Sequence, residues 1–283
     1  PRRAFANACV MSCGALGIVV ATLPTELAVQ AVGWRAVFAG LGALTLAVAA
    51  LVFLAVPERG GAASVEGLKA QLAGLARIYR DAAFWRLAPL LTASAGAHIG
   101  IQTLWAGPWF RDVGGLGRTG VAEHLLYMAL AFGFGVLGSG AVADWFLRRG
   151  VGLLAVMLGF LLVSYAAQGA ILAVTTGLAP AALGTAAWMV FSLSGQAAIL
   201  AYPWLSAYFG AALSGRANTA VNLLIFGAAF ATQYAIGAII DLFPPGAAGG
   251  YDPAGYRLGF GLFLALQLLA LAWYLPGARR LRR

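Results

Sequence analysis

Apolar runs of about twenty residues recur along the whole chain, each ended by a short joint carrying Arg, Gly or Pro. A helix of about that length crosses the hydrocarbon core of a bilayer. Lipid offers the backbone no hydrogen-bond partners, so each run must satisfy its own amides, and a helix does so. The pattern predicts eight spans, at roughly 6–31, 36–56, 85–107, 122–144, 151–174, 180–204, 217–241 and 257–276. Composition agrees. The 283 residues are 62% hydrophobic and 10% charged, whereas a soluble protein carries about 25% charged residues. The expected fold class is all-α, a polytopic helical membrane protein. Pro24 and Pro203 fall inside spans, where they are expected as kinks.

The net charge of +9 does not point to nucleic acid, because the basic residues form no single face. They sit between the apolar runs, where they set topology. Arg35, Arg111, Arg118 and Arg257 fall on one side of an eight-span chain, and the other fourteen of the eighteen Lys and Arg residues fall on the opposite side with both termini. The positive-inside rule then places both termini in the cytoplasm, in a multi-pass inner-membrane protein. Lys69 is the single lysine. The dominance of Arg, with abundant Ala and Gly, points to a GC-rich bacterial source. The tail Arg279-Arg280-Leu281-Arg282-Arg283 is expected to lie against anionic lipid. Cys9 and Cys13 are too few for a disulfide framework and lack metal-site spacing.

One long joint, 57–84, separates two spans from six. Within it Leu68, Leu72, Leu75 and Ile78 recur at helical spacing, with Lys69, Arg77 and Arg80 between them. This predicts an amphipathic helix on the inner membrane surface. The chain thus divides into 1–56, 57–84 and 85–283.

Three stretches carry a family resemblance. Gly33-Trp34-Arg35-Ala36-Val37-Phe38 joins the first two spans. Gly140-Ala141-Val142-Ala143-Asp144, followed by Arg148-Arg149-Gly150, joins the fourth and fifth. Gly215-Arg216-Ala217-Asn218 opens the seventh, which also holds Asn222, Gln233 and Gly237. Together these resemble the major facilitator superfamily of secondary transporters, whose members have twelve helices in two halves joined by a long cytoplasmic loop. The resemblance implies that 1–56 is the last two helices of an N-terminal half, 57–84 the central loop and 85–283 the complete C-terminal half. Four preceding helices would then be missing. It also implies a gating role for Gly140, Asp144, Arg148 and Arg149 in the loop between helices eight and nine. Gly140 would allow close helix contact, Asp144 would cap a helix end and the Arg pair would meet lipid phosphates. Trp145 and Leu147 depart from the family pattern there.

Polar side chains inside spans mark protein contacts or water-filled cavities. In the third span Ser94, His98, Gln102 and Trp105 form one stripe, while Gly96, Gly100 and Gly107 lie on another face suited to close packing. In the sixth, Trp188, Ser192 and Gln196 recur one turn apart, and in the fifth Ser164 and Gln168 do the same. In the seventh, Asn222 and Gln233 share a face. Gln102, Trp105, Gln196, Asn222 and Gln233 are the candidates for contact with a small solute, each weighed against a plain interhelical bond. Glu26, an acid within a span, and His98, which titrates near neutrality, are the candidates for coupling to protons.

The expected function is secondary transport of a small solute by alternating access. No phosphate-binding loop of an ATPase is present. No metal cluster or nucleophilic triad can be assembled either, so neither enzyme chemistry nor a cofactor is expected. The alternatives are a truncated remnant of such a transporter, or a permease or channel subunit without transport of its own.

Overall fold

The structure, a computed structural model of the chain, describes residues 14, 16–17, 19–55, 67–246 and 249–278. Among them every regular element is helical: α1 Leu23–Val32, α2 Trp34–Ala55, α3 Leu68–Tyr79, α4 Ala82–Gly100, a π-helical turn Ile101–Trp105, α5 Ala106–Asp112, α6 Arg118–Leu147, α7 Leu153–Thr175, α8 Ala182–Ser194, a 3₁₀ stretch Gly195–Ala201, α9 Tyr202–Phe209, α10 Ser214–Ile240 and α11 Pro253–Tyr274, extended by 3₁₀ residues Leu275–Gly277. Six helical runs are long and apolar enough to cross a membrane: α2, α6, α7, α8 through α9, α10, and α11 through Gly277. Their outer faces stay apolar, as with Leu223, Phe226, Phe230 and Tyr234 along α10. Apolar surface on this scale belongs in lipid and not in water. The chain is an all-α, multi-pass membrane protein.

Two of the eight expected spans differ from these six. Of the first, 6–31, residues 6–13, 15 and 18 lie outside the described residues, and the helix described there, α1, has ten residues, too short to count as a span by itself. The third is continuous from α4 through α5, but it carries Arg86, Pro89 and His98. It need not be strongly apolar, because eleven of the nineteen α4 residues are buried against other helices, whereas α2 buries none.

The chain divides into two compact units, Pro1–Gln71 and Leu72–Arg283. In the first, α1 and α2 meet at Gly33, whose φ of 81° is a left-handed conformation suited to glycine. Its N–H closes α1 onto the Val29 carbonyl. Pro24 stands in the first turn of α1, where its missing N–H costs nothing. Residues 16, 17, 19 and 20 before it are also helical, and the turn at Ala21 and Thr22 interrupts the run just ahead of Pro24. Arg35 lies over the Trp34 ring at 4.4 Å.

The second unit is built by exchange. Its six long segments form two triplets, α4/α5–α6–α7 and α8/α9–α10–α11. The first member of each triplet packs on the second and third members of the other: α4 on α10 and α11, α8 on α6 and α7. The third members, α7 and α11, meet each other. Small residues make two close crossings. A side chain at Gly96 would lie 2.6 Å from Ala228 Cβ, and one at Gly100 would lie 2.7 Å from Thr232 Cβ. In the other pair, Gly135 of α6 receives the backbone of Leu193 in α8. Such close approach is how membrane helices associate where no hydrophobic effect drives them. Gln168 of α7 donates to the Phe260 carbonyl at 3.1 Å and accepts from Gln267 of α11 at 2.8 Å, so it serves packing.

Both first members are broken. Pro108 has no N–H for the Leu104 carbonyl, and its ring crowds that carbonyl. The five residues 101–105 widen into a π turn ahead of it. Pro203 presents the same problem to Ile199. There the chain tightens into a 3₁₀ stretch, and the Tyr202 N–H takes the Ile199 carbonyl in its place.

The core has two layers. One is mainly aliphatic, with Ile78, Leu87, Leu90, Leu91, Met157 and Val221. The other is aromatic, with Trp105, Trp109, Phe110, Trp188, Phe191 and Tyr256 among its members. The C-terminal end of α3 docks on the bundle, while Leu72 near its start stays exposed. Ile78 is fully buried, Tyr79 donates to the Ala220 carbonyl at 3.1 Å, and Gly74 lies against Arg216.

Candidate functional site

The polar stripe of the third span is tied down at both ends and unpartnered in the middle. Ser94 shares a 2.5 Å hydrogen bond with the Tyr165 hydroxyl, and Trp105 Nε1 donates to the Gln233 carbonyl at 3.2 Å. Between them, both ring nitrogens of His98 and the Gln102 Oε1 are buried with no hydrogen-bond partner. Gln102 lies within electrostatic reach of His98, one turn away, yet the two do not meet hydrogen-bond geometry. His98 is 4% exposed. Its ring centroid is 4.4 Å from that of Phe191 in α8, and its ring lies directly on Gly195. Only a glycine leaves room for it there. On the same helix, Trp188 Nε1 and Ser192 Oγ are also buried without partners.

Four residues thus carry unpaired hydrogen-bonding atoms on two neighbouring runs, His98 and Gln102 on the one from α4, Trp188 and Ser192 on α8, and the two runs touch where His98 meets Phe191 and Gly195. Leaving a buried polar group unpaired costs about 1–3 kcal/mol. A native protein keeps few such groups without a reason. Their level is also telling. His98 stands near the middle of the run from Ala82 to Asp112, between Ala95 of the aliphatic layer and Ile101 of the aromatic layer. The π turn begins three residues after it, and the 3₁₀ stretch begins at the glycine it touches. π turns within helices are frequent at functional sites, and irregular backbone at membrane depth is found buried in protein or lining a cavity.

The other expected site residues do not join this set. Asn222 accepts a hydrogen bond from the Tyr202 hydroxyl. Gln233 donates to Thr103 Oγ1 at 3.0 Å. Asn218 donates to Ser206 at 3.1 Å and keeps its Oδ1 buried and unpaired. The backbone of Gln196 follows Gly195 in the 3₁₀ stretch, but its side chain lies outside the described residues. Glu26 belongs to the other unit and accepts from Gln30 at 2.8 Å. The loop residues also differ from expectation. A side chain at Gly140 would meet open space, so it makes no close helix contact among the described residues. Asp144 sits in the last turn of α6, and a carboxylate caps the opposite end of a helix. The Arg279–Arg283 tail, Cys9 and Cys13 lie outside the described residues. Among those described, no group of three or more His, Cys, Asp or Glu is placed to hold a metal ion.

Phe191 and Gly195 complete the set, and neither stands out by residue type. A repeated signal marks the level: Pro108-Trp109 and Pro203-Trp204, each with a Gln six or seven residues earlier, at Gln102 and Gln196. Read as an internal repeat, it locates both broken helices at once.

Beyond the aromatic layer, Asp112 closes the end of the bundle. Its carboxylate, 3% exposed, accepts from Arg111 at 2.5 Å, from the Tyr256 hydroxyl at 2.7 Å and from the Tyr251 N–H at 3.0 Å. Burial alone would raise its pKa, but the Arg111 guanidinium and the two further donors outweigh burial and hold it below the ordinary carboxylate value. A depressed pKa in the folded state stabilises above the unfolded pKa, and that contribution is lost as pH falls through the folded value. Asp112→Asn should therefore lower the thermal midpoint at pH 7, and the difference from the parent should shrink on acidification to about pH 3. Melting curves across that range check this, and a difference independent of pH contradicts it.

No protein-family model matches this sequence, and no curated protein matches it.

Proposed function

We propose that this chain carries the solute-binding half of a secondary transporter, moving a small solute across the cytoplasmic membrane by alternating access. One observation carries the reading: the first helix of each exchanged triplet is broken and carries buried unpaired polar groups, His98 and Gln102 in one, Trp188 and Ser192 in the other. Secondary transporters are commonly built from inverted repeats, with discontinuous helices meeting at a midplane site. Three crossings per triplet invert the second triplet relative to the first. The resemblance to the major facilitator superfamily leads to the same layout, with both termini cytoplasmic.

On this reading the unpaired groups are the solute's hydrogen-bond partners. The set holds donors and acceptors and no carboxylate, which suits a neutral or amphipathic solute. The aromatic layer from Trp105 to Tyr256 closes the path on the Asp112 side, and the aliphatic layer closes it on the other. Rocking of the two bundles of such a transporter would open each in turn. His98 is the group within this site that can take up a coupling proton, and Glu26 is the candidate in the other unit.

The test is a panel of neutral and amphipathic metabolites screened by thermal shift on the full chain. Any solute that binds should then bind about tenfold more weakly to His98→Ala and to Gln102→Ala, the loss of roughly one hydrogen bond each. Asn222→Ala, whose side chain is already engaged by Tyr202, should change affinity less. Unchanged affinity in both His98→Ala and Gln102→Ala removes this set from the solute path.

A further inference from the structure

A groove of about 330 Å³ runs along the outside of the bundle between the end of α6 and the start of α7. Its wall is apolar: Val142 and Phe146 from α6, then Val151, Val156, Gly159 and Val163. Two of these residues, Phe146 and Val151, bracket the pair Arg148-Arg149. The two arginines thus stand in the turn that joins the groove's two walls, and no charged residue lines the groove itself. Neither guanidinium has a carboxylate partner among the described residues. Asp144 lies one turn before Arg148, but no ion pair forms between them. Arg149 is held over the Trp145 ring at 3.4 Å, so its position is set without an anion. Trp145 is 43% exposed, as an aromatic residue at the membrane–water interface would be.

We infer that this groove holds an acyl chain of one anionic phospholipid, with its phosphate on Arg148 and Arg149. The occupant follows from the shape and charge of the site. An apolar trough at lipid level takes hydrocarbon, and an unpaired Arg pair at its end selects a negative headgroup, since guanidinium groups bind phosphate oxygens in a fixed fork geometry. A zwitterionic lipid fits the trough equally well but gains less from the pair. Gly159 keeps the trough open. A side chain there would meet nothing within 4 Å, so it can be enlarged without disturbing the helices. The inference is independent of the transport reading.

Native mass spectrometry on the full chain, released from nanodiscs of phosphatidylcholine and phosphatidylglycerol, tests it. The parent should retain phosphatidylglycerol above its bulk share. Arg148→Gln/Arg149→Gln should lower that preference by roughly fivefold per charge removed, and Arg148→Lys/Arg149→Lys should keep most of it. Gly159→Phe should lose it with both arginines present. If the Gln pair keeps the preference, or if only the Gln pair loses it while Gly159→Phe keeps it, the inference falls, the second result meaning surface charge without a seated chain. A second measurement needs no variant. Phosphatidylglycerol with a photoreactive acyl chain should crosslink within residues 142–163 more strongly than the matching phosphatidylcholine probe, and equal labelling overturns the site.

Discussion

Gly135→Leu should leave little of the cooperative thermal transition of this protein. A side chain at 135 would run into the backbone oxygen of Leu193. Backbone held in a helix cannot swing aside as a long side chain can, so relief requires α6 and α8 to separate. Overpacking costs about 1–3 kcal/mol, occasionally more, and a backbone neighbour places this case at the upper end. The damage should spread to the site, because Leu193 lies two residues before Gly195, the residue that seats His98. Gly138→Leu, one turn along α6, is the control. A side chain there meets nothing within 4 Å and should leave the midpoint within a few degrees of the parent. Circular dichroism melts of both variants in detergent decide the matter, and equal midpoints would mean that the α6–α8 crossing is not close-packed.

Much of the fold was readable in advance, for a simple physical reason. Lipid forces each crossing into one long apolar helix, so spans such as Leu153–Thr175 could be located within a few residues from hydropathy alone. The stripe Ser94–His98–Gln102–Trp105 was readable too, because helical spacing fixes a shared face. Which of its members are free was not. That depends on Tyr165 and Gln233, which lie 71 and 128 residues along the chain from the groups they engage. The same holds for Asn222, whose partner Tyr202 sits on another helix. Pro203 was expected to bend its helix. The tightening of the seven residues before it, and the widening before Pro108, are local answers to a missing N–H that composition does not reveal. The α3 amphipathic pattern fits lipid and protein equally well, and the docking of its end through Ile78 depends on helices far along the chain.

The central claim is that the unpaired set around His98 is a solute site reached from each side of the membrane in turn. A cysteine placed at Gln102 tests it, in a background where Cys9 and Cys13, the two native cysteines, are replaced by Ser. Gln102 sits in the π turn, partly exposed and with its Oε1 buried, and in a membrane-spanning helix the exposed part of a static bundle would meet lipid, which excludes a water-borne reagent. Alternating access predicts labelling by a membrane-impermeant thiol reagent in both right-side-out and inside-out vesicles, slowed from both sides by a solute that binds. Labelling from neither side would make the set a packing feature, and labelling from one side only would make it a one-sided cleft. Either result would contradict the account.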